Sequence, residues 1–383
     1  MDVARVDIAV LGGGAAGLSL VCHLARTGWH GSLVLVDDGA HPAAGRAWAW
    51  WSRGDALLDP RAATALSCAT VAGPGWRRRM DLSPYAYRVL PGAALDAAAE
   101  AALASRAAWR RLWGRATTVV PDDAGASVTV ETDAGPVEVR ARWVLDSVGP
   151  GEDRPDTSSL DFLGLRLRAR EPVFDHGAVT LMDFRTGQDD GVAFMYVLPV
   201  SAREALVERT VFSAPGASPD HAPHLAQYIG EIGAAAAVET GREHGRIPLL
   251  ARAPTRAEGA VVPIGARAGL VRESTGYGFA RIQRHSAALA RALAGGEDPA
   301  GAAPARRWAR ALDASLMRLI RDDPDGAREV LGALLRRNPP ERILAFLDED
   351  ASPLAQARLF ASLPEFARAT LVTRLRGAGA RRR

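Results

Sequence analysis

A glutamate lies where an alternating strand would present apolar side chains. The stretch AFMYVLPVSAREALVERTVFS (193–213) predicts β-strands and contains Glu208. On an alternating strand its neighbours on the same face are Leu206, Thr210 and Phe212. Apolar surroundings would favour the neutral carboxyl form, so Glu208 could donate a proton to an apolar substrate. The alternative is an edge strand whose charged residues face water.

A second carboxylate, Asp183, occurs in the segment TLMDFR, with Arg185 two residues further along. If this segment is a strand, both side chains lie on one face. A carboxylate kept ionised by an arginine suits stabilisation of a cation better than proton donation. A structural ion pair explains the same two residues equally well, so both interpretations stay open.

Aromatic side chains are concentrated in two short segments. Trp48, Trp50 and Trp51 belong to GRAWAWWS, which we interpret as a loop, and Tyr277 belongs to STGYGF. Aromatic faces stabilise cations and offer an apolar wall to a substrate, so these four residues are candidates for substrate binding. Packing of the rings in a core is the alternative. Arg46, beside the tryptophans, could reach a phosphate group of a cofactor.

The beginning of the chain predicts a dinucleotide site. A short apolar strand is followed by the pattern G-x-G-x-x-G, a segment with helical periodicity and a second apolar strand that ends in an aspartate. The glycines permit a tight turn, close approach of a pyrophosphate and packing of helix on sheet. The helix N-terminus supplies amide donors for the phosphates, and the aspartate can bind a ribose. The predicted cofactor-binding residues are Gly12, Gly14, Ala15, Ala16, Gly17 and Asp37.

Two later segments favour FAD over NAD. ARWVLDSVG predicts another strand, ending in Asp146, and GAVVPIGARAGLVRESTGYGFARIQ predicts a strand, a turn at Gly265 and a loop with Gly276 and Gly278 before a helix. A chain that returns late to a dinucleotide fold is typical of large FAD proteins, whereas a nicotinamide domain is more often one compact block. An ordinary βα turn is the alternative. We predict that these four residues also contact FAD.

Composition narrows the class of protein. The 383 residues, 48% hydrophobic and 24% charged, are typical of a soluble globular protein with two or three structural units. The net charge of +3 is small and no nucleic-acid-binding motif occurs, so we expect no nucleic-acid partner. Two cysteines fit a reducing cytoplasm. The histidines show no metal-ligand spacing, so we expect no metal site. We find neither a signal peptide nor a membrane-spanning segment.

Several segments together resemble the lycopene cyclase family of FAD-binding proteins. They are GRAWAWWS, FLGLRLRAREPVF, TLMDFRTGQDDG, AFMYVLP, LVERT, IPLL, VVPIGARAGLVRESTGYGF, PPERILAFLDED and SLPEF. These segments are spread along the chain, so the similarity extends over nearly its whole length. The family has a functionally required glutamate in the LVExT motif and an aspartate in the MDFR position. The resemblance therefore implies that Glu208 and Asp183 are catalytic. Ala266 departs from the aspartate that related flavoproteins often have, and the tryptophan-rich segment is unusual for the family.

The same resemblance implies a reaction. The family closes ionone-type rings at the ends of linear carotenoids such as lycopene, by protonation of the terminal double bond, attack of the next double bond on the cation, and loss of a proton. No electrons are transferred overall. In the family the flavin is needed in reduced form, with NAD(P)H as the candidate reductant. The type of ring and the number of cyclised ends stay open.

We expect an α/β fold in which a Rossmann-like FAD-binding domain accompanies an antiparallel-sheet substrate domain and a C-terminal helical region. A helix is predicted over 92–113. The arginines of the last eleven residues could contact anionic lipid, so we expect a cytoplasmic protein, peripheral on the inner face of the cell membrane. A solvated tail is the alternative. The predicted domains are 1–60, 92–150 and 255–300 for FAD, 61–91 and 151–254 for the substrate, and 301–383 for the helices.

Three other functions use the same scaffold. A flavin-dependent cyclase could act on a smaller prenylated or terpenoid substrate, which the tryptophan-rich segment leaves open. A flavin monooxygenase or prenyl reductase would consume NAD(P)H, and an acid in its pocket would be incidental. A non-enzymatic flavin or carotenoid binder would have no use for Glu208 in its motif.

Overall fold

The computed structural model describes residues 3–148, 158–249, 257–302, 307–365 and 367. This part of the chain has the predicted mixed α/β architecture. In chain order its strands are β1 (Val3–Leu11), β2 (Leu33–Asp37), β3 (Ala47–Ser52), β4 (Thr64–Leu66), β5 (Cys68–Gly73), β6 (Trp76–Asp81), β7 (Ala86–Pro91), β8 (Trp109–Trp113), β9 (Arg115–Asp122), β10 (Gly125–Thr132), β11 (Gly135–Asp146), β12 (Ser159–Arg168), β13 (Ala178–Asp183), β14 (Ala193–Pro199), β15 (Glu204–Ser213), β16 (Val238–Pro248) and β17 (Val261–Pro263). Its α-helices are α1 (Ala15–Thr27), α2 (Gly92–Ala104), α3 (Ala222–Glu231), α4 (Phe279–Ala294), α5 (Arg307–Asp322), α6 (Pro324–Arg337), α7 (Pro340–Leu347) and α8 (Pro353–Ala361).

The first sheet is Rossmann-like, as the glycine pattern predicts. Its order is β8-β2-β1-β11-β10-β9, with β17 beside β11. The strands β8, β2, β1, β11 and β17 are parallel, and β10 and β9 continue as an antiparallel meander. The helices α1 and α4 pack on each other beside this sheet. The late return of the chain through β17 and α4 therefore joins the dinucleotide fold that begins at β1.

One predicted helix is shorter than expected. We predicted a helix over 92–113, but α2 ends at Ala104 and Trp109–Trp113 forms β8, which pairs in parallel with β2. The alanine-rich sequence has high helix propensity, and no glycine or proline marks the end of the helix. Burial of Trp109 against the sheet edge overrides local propensity here, because long-range pairing satisfies the backbone of 109–113.

The second sheet holds the candidate catalytic residues and is covered on both faces. Its order is β16-β12-β15-β14-β13-β5-β6, and every pair is antiparallel except β13 with β5. On one face, Phe194 and Phe212 pack against Leu331 of α6 and Ile343 of α7. We call this the helical-tail face. On the other face, Met195 packs against residues of α3, and we call this the α3 face.

A third, small sheet has the order β3-β7-β4 and contains the tryptophan-rich segment. We interpreted that segment as a loop, and this was wrong: Ala47–Ser52 is β3, paired with β7. Alternation along a strand sends successive side chains to opposite faces, which separates the tryptophans. The pairing joins 47–52 to 86–91, whereas the predicted domain division places these two ranges in different units.

The C-terminal region is helical, as predicted. Pro324 and Pro340 occupy the first position of α6 and α7, where proline needs no amide partner, and Asp323 caps α6 by accepting a hydrogen bond from the amide of Gly326 at 3.0 Å. Within the described ranges, no helix is long and apolar enough to cross a membrane. The arginines of the last eleven residues lie outside the described residues.

Candidate active site

Glu208 lies in β15, in the interior of the second sheet. Its strand is flanked by β12 and β14, so the interpretation as an edge-strand residue is wrong. Glu208 lies opposite Tyr196 of β14 and Gly164 of β12, and its carboxylate accepts a hydrogen bond from the hydroxyl of Thr210 at 2.7 Å. Part of the side chain is accessible to solvent, yet burial of the carboxyl group raises its pKa to about 7, and the charge of Glu243 acts in the same direction.

The raised pKa of Glu208 predicts a pH-dependent stability. The carboxyl group titrates near 4.5 when unfolded and near 7 when folded, so the stability from its retained proton is present below pH 4.5 and lost as pH rises through 7. The free energy of unfolding of Glu208→Gln should therefore exceed that of wild type by about 3 kcal/mol at pH 8.5, with no gain at pH 4. Urea denaturation at both pH values measures this difference. An equal difference at the two pH values would contradict the shifted pKa.

Three tyrosine hydroxyls form a hydrogen-bonded chain on the helical-tail face. The hydroxyl of Tyr87 lies 2.9 Å from that of Tyr196 and 3.1 Å from that of Tyr277. Burial raises the pKa of Tyr277 to about 12, so this phenol is neutral at pH 7. The ring of Trp51 meets the ring of Tyr277 edge-on, with centroids 4.9 Å apart. Tyr196 lies directly opposite Glu208 across the strand pair, so this aromatic group borders the candidate acid.

Asp183 lies on the α3 face, the opposite face from Glu208. It pairs across the strands with Met195, and Met195 packs with Tyr228 of α3, whose hydroxyl donates a hydrogen bond to Asp183 at 3.0 Å. Arg185 donates to both carboxylate oxygens, at 2.9 and 2.6 Å. Burial alone would raise the pKa of Asp183, but these bonds hold it below its usual range. The structure does not bring the two predicted catalytic carboxylates together, and a catalytic role for Asp183 stays a prediction.

The contacts of Asp183 predict a contribution to stability. Asp183 is buried, with 1% of the residue exposed, so Asp183→Asn leaves the groups that it binds without a charged partner. We expect the free energy of unfolding to fall by about 2 kcal/mol. The matched control is Asp175→Asn, which breaks a half-exposed pair with Arg79 and should cost less than about 1 kcal/mol. Equal, small losses in both variants would remove Asp183 from the structural framework.

The residues of the predicted dinucleotide site meet at the N-terminus of α1. Gly12 has φ of +98°, and a Cβ atom at Gly17 would lie 2.0 Å from the carbonyl oxygen of Gly12. A Cβ atom at Gly14 would meet no protein atom within 4 Å, so space is open beside the first amides of the helix. The carboxylate of Asp37 borders Gly13, where a Cβ atom would lie 1.9 Å from its Oδ2. The predicted residues of α1 in this group are Ala15, which is half-buried, and Ala16, which is buried.

Two of the later predicted residues, Asp146 and Gly265, lie beside the same turn. Asp146 ends β11 beside β1, accepts a hydrogen bond from the amide of Val148 at 2.9 Å and forms an ion pair with Arg267. Gly265 has φ of +63°, and a Cβ atom there would lie 2.8 Å from Cβ of Ala16. The strand–turn unit of β17 therefore packs directly on the beginning of α1.

The remaining predicted cofactor residues, Gly276, Gly278 and Arg46, lie outside the α-helices and strands. Gly278 immediately precedes α4, and Gly276, with φ of +71°, approaches Leu160 of β12. The loop from Gly276 to Gly278 thus runs between the two large sheets and carries Tyr277. The side chain of Arg46 is exposed, just before β3. Contact of these residues with a cofactor stays a prediction.

The three tryptophans do not form one group. Trp48 and Trp50 both pack on Phe279 of α4, with ring centroids 6.0 and 4.7 Å away, and the indole of Trp50 donates to Asp59 at 3.0 Å. These two belong to the core beside the first sheet, whereas Trp51 belongs to the helical-tail face. The alternation of β3 is the physical reason. Trp51 contacts Tyr277 and therefore belongs to the aromatic group that borders Glu208.

Sequence spacing missed one cluster of polar residues. The Nε2 atoms of His221 and His244 lie 2.9 and 3.3 Å from one oxygen of Asp161, and Arg246 donates to the other oxygen at 2.9 Å. The three potential metal ligands come from parts of the chain 60 and 83 residues apart, so no linear motif reveals them. In the described part of the chain they form a hydrogen-bonded network on the α3 side of the sheet, in which Arg246 is the charged partner of Asp161.

The fold is that of flavoproteins. The structure is similar to a geranylgeranyl bacteriochlorophyll reductase-like protein from Thermoplasma acidophilum, with a TM-score of 0.65, 14% identity and coverage of 97% of this chain and 99% of the other. It is also similar to a flavoprotein/dehydrogenase from Cytophaga hutchinsonii, with a TM-score of 0.62, 14% identity and coverage of 94% and 98%. At these identities the likeness establishes the fold.

Sequence comparison gives the family. The model of the family described as lycopene cyclase protein matches residues 7–374, so the chain belongs to this family. The chain is also similar to a lycopene beta-cyclase from a Paracoccus species, with 30% identity over 316 residues that cover 77% of this chain and 75% of the other. The resemblance carried by the short motifs is thereby confirmed.

Proposed function

We propose that this protein is an FAD-dependent cyclase of the end groups of lycopene-type linear carotenoids. One observation carries the proposal: a glutamate with a pKa raised to about 7 faces a hydrogen-bonded group of three tyrosines, one buried and two half-buried, on a covered sheet face. Family membership, the name of the Paracoccus relative and the flavoprotein fold support the same conclusion. Glu208 is the proton donor in this proposal.

The reaction follows from the chemistry of that face. Protonated Glu208 gives its proton to the terminal double bond of the polyene, and the next double bond attacks the resulting cation to close the ring. The rings of Trp51 and Tyr277 exclude water and present electron-rich faces to the cation. The carboxylate left on Glu208 is then a base on the same face, which takes a proton from the ring and restores the acid. Protons and electrons balance, so the reaction is an isomerisation.

The chain has a turn that fits a flavin nucleotide. The open space at Gly14, beside the first amides of α1, suits a pyrophosphate, and Asp37, whose carboxylate borders Gly13, would bind a ribose hydroxyl. Asp146 and Gly265 lie beside β1 and α1, and Gly276 and Gly278 flank Tyr277 in the sequence, so these four residues are further candidates for FAD contact. FAD, bound in reduced form with NAD(P)H as reductant, would supply negative charge beside the cation.

A polyene substrate needs an apolar environment beyond the reacting end. An apolar cavity of about 120 Å³ lies among the C-terminal helices, and it is bordered by Thr275, two residues before Tyr277. Because such a substrate is insoluble in water and resides in a bilayer, we further propose that the protein acts in the cytoplasm as a peripheral protein at the inner face of the cell membrane. A second candidate function, reduction of a prenyl chain, is favoured by the likeness to the reductase-like protein alone.

Cyclisation in heavy water tests the proton-transfer step. Purified protein is incubated in D₂O with lycopene in liposomes, FAD and a reductant, and the carotenoids are analysed by chromatography and mass spectrometry. We expect cyclic carotenes that carry one deuterium for each ring formed, with no net consumption of NAD(P)H. Products with two added hydrogens, and matching consumption of NAD(P)H, would contradict the proposal and identify a reductase.

A further inference from the structure

A glycine in the strand next to Glu208 lies between two glutamates, and the side chains of Leu206 and Glu243 share the space over it. Gly164 of β12 lies opposite Glu208 of β15 on one side and opposite Glu243 of β16 on the other. Residues directly opposite each other in a sheet share a face, so the two glutamates flank the same glycine on the helical-tail face. A Cβ atom at Gly164 would lie 2.9 Å from Cδ1 of Leu206, 3.1 Å from Cγ of Glu243 and 3.5 Å from Oε1 of Glu243. The side chain of Glu243 therefore leans over the glycine, toward Glu208.

An arginine holds Glu243 in this position. Nη2 of Arg166, two residues after Gly164 on the same strand, lies 2.7 Å from Oε2 of Glu243. This bond uses one oxygen of Glu243 and leaves the other over Gly164. The charge of Glu243 adds to burial in raising the pKa of Glu208, whereas the hydrogen bond from Thr210 lowers it. The carboxyl groups of Glu208 and Glu243 thus lie on either side of one glycine and have different partners. Such different surroundings favour the protonated form of one carboxyl group beside the charge of the other.

We propose that Glu243, held by Arg166 and acting across Gly164, is the positioning residue that keeps the proton on Glu208. The proposal rests on the proposed function only for the acid role of Glu208, since the interaction between the two carboxyl groups exists whatever the substrate. Other groups facing Glu208 are neutral at pH 7: Thr210 on its own strand, Tyr196 on β14 and Tyr277 in the loop before α4.

This arrangement predicts opposite effects for the two members of the ion pair. Glu243→Gln removes a negative charge near Glu208 and should lower the pKa of Glu208 by about one unit. Arg166→Gln removes the cation that offsets this charge and should raise the pKa of Glu208 by about half a unit. If the pair of Arg166 and Glu243 only stabilises the sheet, removal of either residue has the same effect on the pKa of Glu208. The direction of the two shifts therefore separates the two explanations.

The direct measurement is a titration of Glu208 by carbon-13 NMR. The full-length protein is labelled at glutamate side-chain carboxyl carbons, and the signal absent from Glu208→Gln identifies the residue. The titration is repeated for Glu243→Gln and Arg166→Gln. The control is Glu239→Gln, because Glu239 lies on the same strand as Glu243 and pairs with exposed Arg242. We expect the pKa of Glu208 to fall in Glu243→Gln, to rise in Arg166→Gln and to stay unchanged in Glu239→Gln. Shifts of the same sign in the first two variants, or no shift in Glu243→Gln, would overturn the proposal.

The pH profile of cyclisation distinguishes failure of this inference from failure of the proposed function. If the role of Glu243 and the proposed function both hold, the pH above which the cyclisation rate falls moves in each variant in the same direction as the pKa of Glu208. If wild-type protein cyclises no carotenoid while the titration shifts as expected, the proposed function fails and the role of Glu243 stands. If cyclisation occurs and neither the limb nor the titration moves, the role of Glu243 fails alone.

Discussion

Glu208→Gln is expected to lower the rate of lycopene cyclisation by roughly 10²–10⁴-fold, because the amide has no proton to give to an alkene. Glutamine has nearly the same size and can accept the hydrogen bond from Thr210, which in wild type spans 2.7 Å. The variant should therefore fold and retain flavin. The rate is measured with purified protein and lycopene in liposomes, with flavin absorbance recorded for each preparation.

The matched control for this prediction lies on the same strand. Glu204→Gln changes a glutamate that pairs with exposed Arg168 at the beginning of β15, where the side chain is partly in water. We expect cyclisation within about twofold of wild type for this variant, because a surface pair contributes little. Full activity of Glu208→Gln would remove Glu208 from the mechanism, and equal loss in both variants would indicate a general effect on the strand.

Gly17→Ala is expected to abolish flavin binding. The added Cβ atom would lie 2.0 Å from the carbonyl oxygen of Gly12, a backbone atom that cannot move without opening the turn before α1. The N-terminal amides of the helix would then no longer converge on a phosphate. We expect purified Gly17→Ala to contain less than about a tenth of the wild-type flavin and to unfold at lower urea concentration.

Two further variants separate the cofactor from the fold. A Cβ atom at Gly14 meets no protein atom within 4 Å, so Gly14→Ala should retain wild-type stability without cofactor and yet bind FAD weakly, since the methyl group would occupy the space of the pyrophosphate. Gly230→Ala, at an equally open position in α3, is the control and should retain both properties. Full flavin content in Gly14→Ala and in Gly17→Ala would contradict the assignment of this turn to FAD.

The nucleotide-binding half could be predicted from the sequence because its signals are local. The glycines, the apolar strand and the aspartate lie within one βαβ unit, where spacing along the chain determines spacing in the fold. The strand Trp109–Trp113 was missed for the opposite reason. Its partner β2 is distant in sequence, and nothing between Ala104 and Trp109 indicates that the alanine-rich helix has ended.

The surroundings of Glu208 required the structure because they depend on strand order and register. The sequence indicates that Leu206 and Phe212 share the face of Glu208, but neither Tyr196 nor Gly164 can be aligned with it without knowing which strands pair. The same limit applies to Asp183: its pairing with Arg185 follows from local alternation, whereas its position on the opposite face depends on the register of β13.

Cyclisation of lycopene is tested by expressing the intact chain in cells that accumulate this carotenoid, followed by extraction and separation of the carotenoids. We expect cyclic carotenes with the same mass as lycopene in cells with the wild-type chain, and unchanged lycopene in cells with Glu208→Gln. Unchanged lycopene in cells that contain soluble, flavin-loaded wild-type protein would contradict carotenoid cyclisation and point to a smaller terpenoid substrate.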